Sequence, residues 1–389
     1  MFMALLIMIS ERAKKIPLPP TIAINTLAKE MLSKGVDLVE FTVGEPDFPP
    51  GENVKKAAIK AINEDLGKYT AAQGIPKLRQ AIITKFKRDN NLKYNDDQIT
   101  VGNGGKQCID NAFRALLNKG DEVIIPIPYW VSYPELVKLS DGVPIVCKCS
   151  LLEVSAKCIE SYITKKTKVI VLNYPCNPSG MTINKKELEK IAKIVVENDL
   201  YVISDEVYEQ LLYDDKHISI ASLNKEIKKR TIVINSVSKT YAMTGWRLGY
   251  AAGPSDVIKA MIKMQAQCAS NPNTISQYAA IEALTGPQDY VAEMRSEYKK
   301  RRNYMIERLN KMKNIHCDEP HGAFYAFFNI LKTGLKADEF CEKLLKKAKV
   351  TSVPGTGFGM DDHVRLSYAT SMEEIEKGMD RLEKFLEKL

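Results

Sequence analysis

Short apolar runs bounded by turn-forming residues alternate along this chain with longer segments of helical period. The runs fall at residues 122–125, 168–173, 200–204, 231–235 and 247–252. Each is too short for a stable helix and is rich in Val, Ile or Tyr, so each reads as a strand. Strands separated by helices need crossover connections, which give a mostly parallel sheet covered on both faces. Between the second and third runs, Leu188, Ile191 and Val195 share one helical face while lysines and glutamates cover the other. The expected fold class is therefore α/β. A chain of 389 residues, 45% of them hydrophobic, is also too long for one core. The alternation stops at Thr285, Gly286 and Pro287, ahead of a charged helical stretch at about 289–313. Beyond it, the runs at 323–330, 350–353 and 363–368 read as strands of a smaller α+β unit. The predicted layout is an N-terminal arm with part of the small domain (1–45), a large domain (46–286) and a small C-terminal domain (287–389). A proline-rich segment at 16–21 sets the arm apart.

Composition excludes several classes of protein. The 56 basic and 48 acidic residues leave a net charge of +8, but the basic side chains are scattered, with no arginine stripe interleaved with aromatics. A mild positive field suits acidic small molecules, and no nucleic acid partner is expected. The eight cysteines (108, 147, 149, 158, 176, 268, 317, 341) have no paired CxxC spacing, and the four histidines have no metal-ligand spacing. Reduced thiols, no metal and no disulfide framework are the expectation, as in a cytoplasmic protein. The nine apolar residues at the start are too short to span a bilayer and lack a charged leader or a cleavage site, so no membrane partner is expected.

In open α/β sheets, reactive groups gather at the C-terminal ends of strands. Three strands here end in polar motifs. The run at 168–173 leads into AsnTyrProCysAsnProSerGly (173–180), that at 200–204 into SerAspGluValTyr (204–208), and that at 231–235 into AsnSerValSerLys (235–239). The Lys239 amine can form a Schiff base with a phosphorylated aldehyde, whose phosphate Ser236, Ser238 and Arg247 are suited to hold. Asp205, Tyr208 and Asn177 are the residue types that an aromatic ring with a ring nitrogen and a phenolic oxygen requires.

With these motifs in the same order, the chain from about Glu11 to its C-terminus resembles the class I (aspartate aminotransferase) family of fold-type I pyridoxal 5′-phosphate enzymes. The resemblance implies a large domain with a mostly parallel central sheet plus a smaller α+β domain. It implies that Lys239 is the covalent anchor of pyridoxal 5′-phosphate and the proton shuttle. Asp205 would pair with the pyridinium nitrogen, and Tyr208 and Asn177 would contact the phenolic oxygen. Ser236 and Arg247 would bind the phosphate together with amides of the loop 102–107, which holds Gly104, Gly105 and Lys106. Trp130 would stack on the ring. Arg365 would clamp the substrate α-carboxylate beside Asn177, and Gly44 would let the backbone come close to the substrate. Tyr69 would reach the partner's phosphate across a homodimer interface.

Lys106 stands where one branch of the family meets the distal carboxylate of acidic substrates. This favours aspartate and glutamate with oxaloacetate and 2-oxoglutarate in a ping-pong reaction; prephenate or aromatic amino acids are the alternative. A lyase of the same fold is the nearest rival. A cofactor-sensing DNA-binding regulator is disfavoured, because only about ten residues precede Glu11. A dehydrogenase is disfavoured too, because GlyAsnGlyGlyLysGln is neither GxGxxG nor a phosphate loop. Two departures from the family pattern are Cys176, where a small polar residue is expected, and a short stretch from Cys147 to Thr164.

Overall fold

The computed structural model describes residues 9, 10, 13, 14, 16, 20–149 and 154–389. Most of the apolar start (1–8), residues 17–19 of the proline-rich segment and residues 150–153 of the short stretch lie outside it. The described strands are β1 (Val39–Glu40), β2 (Ile99–Gly102), β3 (Glu122–Pro126), β4 (Val143–Cys147), β5 (Thr167–Asn173), β6 (Tyr201–Asp205) and β7 (Thr231–Ser236). They continue with β8 (Gly249–Ala252), β9 (His316–Cys317), β10 (Tyr325–Asn329), β11 (Val350–Thr351), β12 (Val353–Pro354) and β13 (His363–Ser367).

Seven strands form the main sheet in the order β2-β8-β7-β6-β5-β3-β4. Neighbours from β4 through β7 are parallel, whereas β8 runs antiparallel to both β7 and β2. The continuous apolar runs now have a physical reason. Val169 and Val171 pack on one side of the sheet with Phe113, Ile203 and Met261. Their neighbours Ile170 and Leu172 pack on the other with Leu188, Ile191 and Val195 of the helix Lys185–Glu197. A strand with both faces covered cannot alternate apolar with polar, and burying each such side chain is worth about 1.5–3 kcal/mol.

A second sheet, β12-β13-β10-β9, is antiparallel, and β1 pairs with β11, Val39 opposite Val350. Val39 and Phe41 therefore share a core with Tyr298, Leu366 and Phe385 near the other end of the chain. Three strand boundaries differ from the sequence expectation. The run at 247–252 starts only at Gly249, because Arg247 has a left-handed φ of 52° after the turn Thr244–Trp246. The run at 323–330 starts at Tyr325, after Ala323 at φ 59°. The run at 350–353 divides between two sheets, Val350–Thr351 joining β1 and Val353–Pro354 joining β13. The expectation of eight reduced thiols is also corrected: Cys149 and Cys158 form a disulfide. The chain returns there through a short helix, Ala156–Glu160, capped by Ser155, a closure that cysteine spacing alone does not reveal.

Candidate active site

A cavity of about 790 Å³ opens where β5, β6 and β7 end, and its lining includes Asn177, Asp205, Tyr208, Ser236, Ser238 and Lys239. Gly44, Gly105, Lys106, Trp130, Arg247 and Arg365 complete the expected set on its walls. Of the residues singled out from sequence, only Gly104 and Tyr69 do not line it; Gly104 adjoins it through Arg247, and Tyr69 is 93% exposed.

One end of the cavity is built for an anion. The helix Gly105–Leu116 begins there, and its first amides have no partner within the helix. Gly104 has φ 85°, and a Cβ on it would lie 2.5 Å from Arg247 Nη2, so only glycine lets the guanidinium reach the loop. Gly249 on β8 is equally constrained, since its Cβ would meet the Gly105 amide nitrogen at 2.3 Å. Ser236 caps the short helix Val237–Thr240, its Oγ accepting from the Ser238 amide at 3.0 Å and donating to Ser238 Oγ at 2.8 Å. Arg247 donates to the Thr244 carbonyl at 2.7 Å, which orients its fork.

Asp205 is buried at the tip of β6. Burial pushes its carboxyl up to about 6, although the Tyr133 hydroxyl donates to Oδ2 at 2.6 Å and the Val207 amide reaches Oδ1 at 3.4 Å. A cationic ring nitrogen would offset that cost of burial. Lys239 Nζ donates to the Gly44 carbonyl. Burial brings the amine down to about 8; Glu45 opposes the shift, and Arg365 and Arg247 add to it. An amine so lowered is available as a nucleophile near neutral pH. Tyr208 shares a hydrogen bond of 2.8 Å with the hydroxyl of Tyr325.

Arg365 lies buried on β13, over the ring of Tyr325 at 4.4 Å. It donates to Asn177 Oδ1 at 2.9 Å and to the Thr42 carbonyl at 3.0 Å, while its Nε has no partner. A buried guanidinium with a spare donor on a cavity wall fits a carboxylate. Lys106 Nζ sits 4.9 Å from the centre of the Trp130 ring, and Trp130 meets Tyr133 edge-on. Together the glycine cradle, the buried carboxylate and the lowered amine fit a phosphorylated pyridine aldehyde.

Sequence reasoning missed several residues. Tyr133 lies three residues after Trp130, at the start of the helix Tyr133–Leu139, and its hydroxyl is the one that holds Asp205. Asn173 was read as the end of a strand, but it accepts from the Asn177 amide at 3.0 Å and donates to the Asp205 carbonyl at 3.1 Å. Tyr325 gave no signal beyond its place in an apolar run.

The profile of the family "Aminotransferase class I and II" matches residues 36–382. An aspartate aminotransferase of Bacillus sp. (strain YM-2) is 46% identical over 97% of this chain and 99% of its own length. A protein of Rickettsia conorii named "Probable aspartate/prephenate aminotransferase" is 45% identical, over 97% of this chain and 98% of that protein. The solved structure of the Thermus thermophilus aspartate aminotransferase with maleate superimposes with a TM-score of 0.94 at 40% identity, covering 97% of this chain and 99% of that one. This chain belongs to the class I and II aminotransferases and is a pyridoxal 5′-phosphate-dependent transaminase of fold type I.

Proposed function

We propose that this enzyme transfers the amino group between aspartate or glutamate and a dicarboxylic 2-oxo acid, oxaloacetate or 2-oxoglutarate. The observation that carries the proposal is that Arg365 and Lys106 both line the cavity, together with Lys29 and over and above Arg247 at the anion cradle and the Lys239 amine. A substrate with two carboxylates engages both; one with a single carboxylate leaves Lys106 without an anionic partner. The names of the relatives and the maleate in the Thermus structure, itself a dicarboxylate, support this reading.

When bound, the cofactor supplies a carbonyl carbon for the amine and an electron sink for the charge left by proton removal. Arg247, Ser236, Ser238 and the amides at Gly104 and Gly105 hold its phosphate in this proposal. The Asp205 carboxylate, itself fixed by Tyr133, would keep the ring nitrogen protonated. Asn177 and Tyr208 would hold the phenolic oxygen, and Trp130 would cover the ring, all three lining the cavity. Arg365 binds the α-carboxylate through its planar fork. The Lys239 amine, once released, would take the α-proton of the substrate and return a proton to the cofactor carbon, so it leaves the proton shift in the protonation state in which it entered. Ping-pong kinetics follow.

The same proposal includes a homodimer. Tyr69 is exposed and does not line its own cavity, and Ile59 and Ile62 on the helix Glu52–Asn63 are more than half exposed, an apolar surface that a second copy would cover. The division at 45 and 286 also belongs here, supported by the pairing of β1 with β11. Light scattering should give twice the chain mass of 43.7 kDa.

The direct test of the substrate is a panel of 2-oxo acid acceptors with aspartate as donor, run on the wild type and on Lys106→Met. Dicarboxylate acceptors should lose about 10- to 100-fold in kcat/KM in the variant, the worth of one charge-assisted hydrogen bond. Acceptors with one carboxylate should change little. Poor wild-type rates with every dicarboxylate would sink the proposal, and prephenate as the best acceptor would move it to the alternative.

A further inference from the structure

Cys147 ends β4 at the edge of the main sheet, and Cys149 follows two residues later. Cys158 sits in the helix Ala156–Glu160, its amide donating to the Ser155 side chain. None of the three lines the active-site cavity. Cys147 Sγ is 3.6 Å from Cys149 Sγ and 3.4 Å from Cys158 Sγ, while Cys149 and Cys158 are bonded to each other. We propose that, once this disulfide is reduced, the three sulfurs form a binding site for one thiophilic cation of the Zn²⁺ or Cu⁺ class.

Geometry is the first support. A tetrahedral ion with metal–sulfur bonds of about 2.3 Å holds its thiolates about 3.8 Å apart. Both contacts from Cys147 are within a few tenths of an ångström of that spacing, so only the Cys149–Cys158 bond has to open. Chemistry is the second. Three sulfurs with no harder ligand among them select soft cations, and the fourth position is open to water. Cys147 and Cys149 are buried, so a cation held there is shielded from competing solvent ligands on that side. The other group of potential ligands among the described residues, Glu206, Glu209 and His217, is different in kind. There Lys85 already neutralises Glu209, and His217 lies against Glu206.

The loading step balances. A dithiol, or a phosphine in vitro, delivers two electrons to the Cys149–Cys158 bond, two protons convert the sulfurs to thiols, and the reductant leaves oxidised. The cation then displaces one proton from each of the three thiols. The bound ion would tie the end of β4 to the following helix in place of the disulfide.

The test uses the full-length holoenzyme. Protein reduced with a phosphine, protein left unreduced, and the reduced variants Cys147→Ser and Cys158→Ser each receive one equivalent of Zn²⁺ and are read by native mass spectrometry and by competition with a chromogenic chelator. Aminotransferase activity serves as the check on folding. The reduced wild type should hold one zinc per chain, and each variant should retain it at least about tenfold more weakly. Equal retention by wild type and either active variant would overturn the site. So would zinc bound equally well without reduction, or no zinc bound after it. Should Cys147→Ser fail to fold, the partly exposed Cys158→Ser carries the same comparison.

Discussion

Asp205 and Glu206 are consecutive, fully enclosed carboxylates at the end of one strand, yet they enter opposite kinds of surroundings. Glu206 turns into a polar network inside the protein, its Oε1 accepting from Ser204 Oγ at 2.8 Å and Ser219 Oγ at 2.6 Å, while its Oε2 makes an ion-pair approach of 3.0 Å to His217 Nε2 without a well-aligned hydrogen bond. Burial alone would raise its pKa, but His217 and the hydroxyls outweigh it and hold the carboxyl below its usual range. Close by, Glu209 accepts from Lys85, from Asn90 and, at 2.7 Å, from Asn235, all of them buried. Across the strand end, in the cavity, the account is left open. Asp205 is pushed up to about 6, Lys239 is brought down to about 8, and Arg365 keeps an unpartnered Nε. Buried charge whose surroundings favour its ionised form, as around Glu206, serves structure, and buried charge pushed toward its neutral form on a cavity wall, as at Asp205 and Lys239, is poised for a ligand.

That contrast can be broken at either end. The largest effect is expected from Lys239→Ala, which should lower turnover by more than about 10³-fold and abolish the visible absorbance of lysine-bound cofactor. Near wild-type turnover would remove Lys239 from the chemistry. Next comes Glu209→Gln, which takes the nearest carboxylate from the buried Lys85 and leaves it only Asp89 Oδ2, 3.8 Å away. It should cost about 3–5 kcal/mol of stability in denaturant unfolding and leave kcat/KM of the folded fraction within about twofold. Lost activity at unchanged stability would instead assign the network a part in catalysis. Arg365→Lys retains the charge but loses the fork, so kcat/KM should fall by about 1.5–3 kcal/mol of binding, roughly 10- to 150-fold, with unfolding unaltered.

The smallest effect concerns pH. In cofactor-free protein, Lys239 is a nucleophile only when neutral, and Asp205 attracts a cationic ring only when ionised. The rate of pyridoxal 5′-phosphate capture should therefore rise from below pH 6, where the Asp205 carboxyl is protonated, through the Lys239 transition at about 8, and level off above it. Stopped-flow absorbance would measure this. A rate that declines across the same interval contradicts the assigned protonation states.

Much of this arrangement was legible because each motif is local. Asp205 and Tyr208 lie within one strand-end segment, and Ser236, Ser238 and Lys239 within another, so residue types next to an apolar run announced a cavity before any fold was known. The supporting partners were not legible, because they come from far along the chain. Tyr133 meets Asp205 across 72 residues, Tyr325 meets Tyr208 across 117, and Thr42 meets Arg365 across 323. Nor could spacing show that β8 runs antiparallel among parallel neighbours, or that Cys149 and Cys158 pair.

The sequence by itself determined the α/β class, the family and the reactive groups, because hydrophobic period and strand-end motifs are set by neighbouring residues. Only the tertiary structure decided which charges are matched. A buried carboxylate shifts up or down according to the donors around it, and those donors are delivered by packing rather than by position in the chain. Hence Asp205 and Glu206, adjacent in sequence and alike in chemistry, end with opposite shifts, one open to a ligand and the other closed within the protein.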